Sequence, residues 1–270
     1  MPPSVLPADY ASRHVRHEQW NCISNVMYQE RTYRNWIQDK DLYSYSVIIK
    51  ETDLYIRTSC NLNDKAFNSA SKFRNEIENY IKLYPDFSTS FKPLPIDIKS
   101  PDIIKDMAEA AEIFDVGPMA SIAGAISEYV GKDLLAFSEE VIIENGGDIF
   151  ISSKTNRTVA IYAGNSALNG KYGIDISEED CPLGICTSSG TVGHSFSYGK
   201  ADAVVILAGS ATIADAAATS ICNMVKTKND INKALYYAKS TRLLKGAVII
   251  IDNEMGVWGD LKLCELPSYK

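Results

Sequence analysis

The run CTSSGTVGHSFSYGKAD, Cys186 to Asp202, concentrates serine and threonine hydroxyls, glycines at 190, 193 and 199, and the one histidine outside the N-terminal arm, His194. Glycines let a backbone adopt positive φ and approach a ligand closely, and hydroxyls with backbone N–H groups are the donors that hold a phosphate or another oxyanion. The bland alternative is a Ser/Gly loop between strands. Gly193-His194-Ser195-Phe196-Ser197 falls one glycine short of a nucleophile elbow, so His194 reads as a donor to phosphate, as a general base, or as a satisfied loop histidine.

Two further constellations carry oxygen ligands. In ADAAAT, Ala214 to Thr219, Asp215 and Thr219 stand four apart on one helical face, where their oxygens together suit a hard cation such as magnesium. The competing reading is a capping box over Thr212-Ile213-Ala214-Asp215, with Asp215 at the start of its own helix. Glu144-Asn145-Gly146-Gly147-Asp148 interrupts two apolar runs and reads either as a hairpin turn or as a backbone platform for a planar or phosphorylated ligand, with Asp148 accepting a hydrogen bond or orienting a metal. Asp115 precedes a helix of small residues, Ala120 to Ser127, whose N-terminal amides suit an anion; a cap is its alternative role. Cys181 and Cys186 have no matching second pair, which argues against zinc or an iron–sulfur cluster.

The elements that must position these residues are mixed. The 270 residues are 46% hydrophobic, enough for one large core. A net charge of −7 argues against nucleic acid, and the chain has neither an apolar run near the ~20 residues of a membrane span nor a hydrophobic signal core, which predicts a cytoplasmic protein away from membranes. The six scattered cysteines fit reduced thiols. A polar arm over residues 1–30 precedes one domain over 31–270, with two interleaved lobes joined by the proline-rich stretch 85–101. A hairpin is expected from Tyr43 to Thr58, with its turn at Lys50 to Asp53. A helix follows on the stripe Phe67, Ala70, Ile77, Ile81 and Tyr84, and another runs from a Ser100 cap to Phe114. The small-residue helix is expected to end at Gly131 and to pack closely on a neighbouring backbone. Strands are expected at 141–144, 149–152, 158–163, 203–207 and 247–251, and helices at 213–225 and 231–244. Without regular βαβ alternation, the fold class is α+β.

DVGPMASIAGAISE, ENGGDIF, CTSSGTVGHSFSYGKADA and ADAAAT, in that order, resemble an uncharacterised prokaryotic family related to the ApbE flavin transferases, over residues 30–255. The resemblance implies an ApbE-like, T-fold-like α+β arrangement of mixed antiparallel sheets with packed helices. It also implies FAD or FMN with Mg2+, and transfer of FMN to a threonine or serine hydroxyl of a protein acceptor. By the same resemblance Asp215 and Thr219 hold the metal, and Asp115 to Ser121 wall the flavin. Asn145, Gly146 and Gly147 line the dinucleotide site, Ser188, Ser189 and Gly190 match a T-S-G loop continued by Thr191 and Gly193, and His194 and Asp148 are the candidate bases. The transferases' helix lysine and His-x-x-Asp-Pro block are missing here. The alternative is a non-catalytic accessory protein of anaerobic sulfur assimilation and homocysteine formation, with a homo-oligomer as a further expected association.

Overall fold

The computed structural model describes residues 31–35, 41–192 and 197–267. Strands β1 (Tyr43–Ile49) and β2 (Thr52–Thr58) form the expected hairpin, but its turn is only Lys50-Glu51, with Lys50 at φ 53°. Thr52 and Asp53 therefore belong to the strand. Helix α1 (Asn63–Leu83) buries Ala66, Ser69, Ala70, Phe73, Ile77 and Tyr80. Phe67 and Tyr84, expected on that stripe, are exposed, because the buried face is centred one position away. After the short α2 (Asp86–Thr89), α3 (Asp102–Phe114) starts at Pro101 without a side-chain cap, so Ser100 does not play the expected part. Asp115 ends it in the left-handed region, φ 51°.

A 3-10 turn over Pro118–Ser121 leads into α4 (Ile122–Leu134). The helix passes through Gly131 instead of stopping there. A Cβ at Gly131 would lie 2.2 Å from the Phe150 ring, so this glycine serves a close crossing rather than a helix end. Then come β3 (Val141–Asn145), β4 (Asp148–Ser152), β5 (Arg157–Ala160), β6 (Tyr172–Ile176), β7 (Leu183–Ser188) and β8 (Ala203–Ala208). The chain closes with α5 (Ala211–Met224), α6 (Ile231–Ser240), β9 (Leu244–Ile251), β10 (Glu254–Gly259) and β11 (Lys262–Glu265).

Eight strands form one antiparallel sheet, β1-β2-β3-β4-β7-β8-β9-β10, and β11-β6-β5 form a second. Both central faces of the large sheet are buried, and the period of two assigns each side chain to one of them. Val204, Ile206 and Ala208 pack with α5 residues in one apolar cluster, and Val141 and Ile143 pack with α1, α3 and α4 in another. Ile142, Ala203, Val205 and Leu207 face the other way, against Ile174 and Ile176 of the small sheet. Helices, large sheet and small sheet thus form three layers, and the α+β fold of antiparallel sheets with packed helices is present.

The helical layer is tied at its centre by a reciprocal exchange of caps between α4 and α5. Glu128 of α4 is buried, and its Oε2 accepts from Thr212 N (2.9 Å), Thr212 Oγ1 (3.0 Å) and Ser210 Oγ (2.7 Å) at the start of α5. Burial works against its charge, but Lys132, the Ser210 hydroxyl and the Thr212 amide hold its carboxyl below the usual range. Glu128→Ala leaves those donors unpaired in the interior and is expected to cost about 2–4 kcal/mol of unfolding free energy in urea titrations. A loss under 0.5 kcal/mol would show that water replaces the carboxylate at no cost.

Candidate functional site

The β3–β4 turn shows why the sequence brings acidic groups together. Asn145 and Asp148 are the last paired residues, and Gly146 (φ 71°) and Gly147 (φ 105°) form the two-residue connection. Positive φ at both central positions is the type I′ requirement that the glycine pair meets. Strand parity sends Asn145 and Asp148 to the helical face, together with Phe150, Gly184, Cys186 and Ser188. Asn145 Nδ2 donates to Ala123 O in the first turn of α4 (3.2 Å), and Asp148 Oδ1 accepts from Thr187 N of β7 (3.2 Å).

Asp215 reaches the same place from α5. It is not the cap of its own helix: Ser210 is, its hydroxyl accepting from Ile213 N (3.3 Å). The Asp215 carboxylate instead accepts from Gly124 N (2.9 Å), one of the orphan amides opening α4. Asp148 and Asp215 are both buried, and among the described residues no lysine or arginine forms an ion pair with either. Burial, opposed by the α4 amides, pushes the Asp215 carboxyl up to about 7. Burial and then the neighbouring Asp215 charge lift Asp148 in the same direction. Burial and this acidic pair also push the Cys186 thiol well above its ordinary range, which makes it a packed hydrophobe rather than a nucleophile.

Thr219 lies one turn beyond Asp215 on α5, half-buried. The donors gathered here, two carboxylates and a nearby hydroxyl, are the hard oxygens that magnesium takes. The uncompensated charge of the pair fits a cation. Among the described residues there is no group of three or more His, Cys, Asp or Glu spaced to hold a metal, so a cation here relies on hydroxyl, backbone or ligand oxygens as well.

The other expected site residues are distributed unevenly. Ser121 is buried at the entry to α4, its Oγ donating to Pro118 O (2.9 Å). Ser188 is the last residue of β7, not part of a loop, and is buried. Ser189 shapes the turn that follows: its Oγ accepts from Thr191 N (3.1 Å) and Val192 N (3.0 Å). Gly190 N donates to Ala201 O (2.8 Å), and Thr191 Oγ1 to Asp202 Oδ1 (2.8 Å). The amides of 190, 191 and 192 are therefore used inside the turn, which makes this stretch a wall rather than an open anion nest. Asp115 is not gathered with the acidic pair; its side chain is 72% exposed and pairs with Lys92 at 2.8 Å. Gly193 and His194 lie outside the described residues.

Sequence reasoning missed the cluster on the opposite face of the same turn. Glu144 Oε1 accepts from Gly147 N (2.8 Å) and from Tyr33 OH (2.8 Å), while Arg34 donates to Glu144 Oε2 and, at 3.0 Å, to Asp53 Oδ1. Only the alternation of strand β3, which turns Glu144 away from Asn145, could have signalled it.

Comparison with known proteins follows this geometry. A family model described as "AbpE bacteria" matches residues 34–255. A UPF0280 protein of Methanocaldococcus jannaschii is 40% identical over 225 residues, covering 80% of this chain and 90% of its own. A UPF0280 protein of Methanopyrus kandleri is 38% identical over 228 residues, covering 81% and 91%. Among solved structures, a variant of the flavin transferase ApbE from Vibrio cholerae superposes with a TM-score of 0.55 at 12% identity, over 80% of this chain and 96% of that one. The flavinyl transferase ApbE of Pseudomonas stutzeri gives 0.52 at 10% identity, over 83% and 94%. At such identities the structures establish a shared fold. Among the described residues no helix is long and apolar enough to cross a membrane. With the family match spanning most of the chain and relatives near 40% identity along it, the chain belongs to the AbpE bacteria family, an ApbE-like family that includes the UPF0280 proteins.

Proposed function

We propose that the protein binds a flavin nucleotide and is a magnesium-dependent transferase of FMN onto a protein hydroxyl. The observation that carries this reading is the buried Asp148–Asp215 pair under a glycine turn at the N-terminus of α4, in a fold shared with flavin transferases. Asp215, Asp148 and Thr219 are the residues that would hold magnesium, and bound there it would supply positive charge against a pyrophosphate. Gly146 and Gly147 keep side chains away from the turn, and a Cβ on Gly147 would approach nothing closer than Thr187 at 3.9 Å, so a ligand has room beside it. In the transfer, a bond forms between the acceptor oxygen and the FMN phosphorus, the pyrophosphate bond breaks, AMP leaves, and the hydroxyl proton passes to a base. His194 is the candidate for that base, with Asp148 as the alternative where Asp215 and Thr219 alone hold the cation.

The test is AMP release from FAD and magnesium with Thr- or Ser-bearing acceptor peptides. Wild type is expected to release AMP only with a suitable acceptor, and Asp215→Asn or His194→Ala to abolish release. A second reading, an accessory nucleotide-binding protein without transfer chemistry, for example in sulfur assimilation, is favoured by the turn amides at 190 to 192 being used internally. FAD binding without AMP release from any acceptor would establish it in place of the transferase.

A further inference from the structure

The cluster on the far face of the glycine turn is built from four separate stretches of chain. A 3-10 turn, Thr32–Asn35, supplies Tyr33 and Arg34; β2 supplies Asp53, β3 supplies Glu144, and the chain just after β5 supplies Tyr162. Arg34 stands at the centre. Its Nε donates to Glu144 Oε2, its Nη1 to Asp53 Oδ1 (3.0 Å) and its Nη2 to Asp53 O (2.9 Å), and its guanidinium lies 5.5 Å from the centroid of the Tyr55 ring. The Tyr33 hydroxyl donates to Glu144 Oε1 (2.8 Å), and the Tyr33 and Tyr162 rings pack with their centroids 5.3 Å apart. The side chains of Arg34, Asp53 and Glu144 are only 12%, 10% and 6% exposed.

A buried ion pair of this kind is weak evidence for stability, because desolvation of the charges offsets most of their attraction. What it fixes is geometry, since the planar guanidinium directs its donors along set lines. Glu144 Oε1, held by Tyr33 while Arg34 holds the other oxygen, accepts from Gly147 N (2.8 Å) inside the two-residue turn. Gly147 sits at φ 105°, where no Cβ restricts the peptide, so the carboxylate supplies the restraint that a side chain does not. The residue that follows is Asp148, half of the acidic pair, and the residue before the turn is Asn145, which donates to Ala123 O at the start of α4. Charge crosses the turn as well. Burial and the Asp215 charge lead the rise of the Asp148 carboxyl, and Glu144 adds to it. Arg34 is the guanidinium paired with that Glu144 charge.

We propose that Arg34 and Glu144 are positioning residues for the acidic site: Arg34 orients Glu144, Glu144 orients the Gly147 peptide, and the turn so fixed sets Asp148 beside Asp215. Both act through the turn and not by touching a ligand. The role rests on the cation-binding part of the proposed function and adds the residues that hold its carboxylates in place.

Amide hydrogen exchange at Gly147, read by NMR in the full-length protein, and calorimetric titrations of magnesium alone and of FAD with magnesium decide it. Arg34→Met keeps an apolar stem and removes the guanidinium. It is expected to speed Gly147 exchange about tenfold or more, the weight of one hydrogen bond to a charged acceptor, and to weaken magnesium by a similar factor. Glu144→Ala removes the acceptor, leaves Arg34 its Asp53 partner, and is expected to speed exchange as much. The double variant Arg34→Met/Glu144→Ala should exchange no faster than Glu144→Ala, because Arg34 acts through Glu144. Arg34→Lys, which keeps the charge without the fork, should recover part of the loss. The control is Arg157→Met. Arg157 pairs with Asp41 and with Glu140, beyond the other end of β3, so its variant is expected to lose stability while keeping wild-type Gly147 exchange and magnesium affinity.

The role is overturned if Gly147 exchanges within twofold of wild type in Arg34→Met and Glu144→Ala, or if exchange quickens while magnesium and FAD bind within twofold of wild type. It is equally overturned if Arg157→Met reproduces the changes, which would trace them to lost stability. Where Arg34→Met does not fold, Glu144→Ala decides by the same criteria. Wild type that binds neither magnesium nor FAD removes the proposed function and this role with it, whereas wild-type binding that is unaltered in the variants removes this role alone.

Discussion

Gly124→Val is expected to lower the melting temperature by about 10 °C or more. A Cβ at Gly124 would stand 2.3 Å from Ala211 O and 2.8 Å from Asp215 Cβ. The first obstacle is backbone, which no rotamer change relieves. Making room means moving α4 away from α5, and that motion lengthens both reciprocal caps, Asp215 on Gly124 N and Glu128 on Thr212 N. Overpacking alone costs about 1–3 kcal/mol, and loosening a buried carboxylate from its donors adds a similar amount. For a chain of this size each kcal/mol moves the midpoint by roughly 2–4 °C. Gly209→Ala is the control. Nothing lies within 4 Å of the Cβ it would gain, so its melt is expected to match wild type. A Gly124→Val protein that melts within 2 °C of wild type would show that the helices slide apart without cost, and the reciprocal caps would lose their assigned weight.

The close approach of α4 was readable in the sequence, because alanine, glycine and serine at 120, 121, 123, 124, 125 and 127 leave little to hold a neighbour away. Its partner was not. Asp215 and Gly124 are far apart in sequence, and a carboxylate that caps another helix leaves no local spacing to recognise; within its own helix the same residue mimicked a capping box. The turn at Gly146-Gly147 was legible for the opposite reason, since positive φ at two successive residues is a local demand. Strand β7 was hidden by its composition. Leu183-Gly184-Ile185-Cys186-Thr187-Ser188 ends in the small and hydroxylated residues of a loop, yet Cys186 and Ser188 alternate with Ile185 and Thr187 across a fully paired strand. Gly184 is explained only in three dimensions, where a Cβ would meet the Ala211 backbone at 2.4 Å. Helix ends were the least legible. Gly131 looked like a stop because a glycine needed for contact with Phe150 and a glycine needed for a left-handed cap have the same letter.

Magnesium is expected to stabilise the protein strongly at pH 8 and hardly at pH 5. Burial raises the Asp215 carboxyl to about 7, and burial with the Asp215 charge lifts Asp148 in the same direction, whereas an aspartate in the unfolded chain titrates near 4. Between about pH 4 and pH 7 the folded state therefore binds more protons than the unfolded state. The linkage slope is negative there, so Asp215 removes stability as pH rises through the window, at a cost on the order of a few kcal/mol above it, and the raised Asp148 acts in the same direction. Below pH 4 both states are protonated and the cost vanishes. A divalent cation competes with protons for these carboxylates and binds best once they have ionised. Thermal melts with and without millimolar magnesium at the two pH values read this directly, and an upward shift of several degrees is expected at pH 8. The double variant Asp148→Asn/Asp215→Asn should lose the magnesium shift and melt higher than wild type at pH 8 without metal, because the buried Asp215 charge is gone. Comparing the two proteins at each pH cancels carboxylates elsewhere, such as Asp41, which Arg157 pulls down to about 2. If magnesium raises both proteins equally, the cation binds somewhere else. If their melting curves stay parallel from pH 4 to pH 8, Asp148 and Asp215 do not share a site.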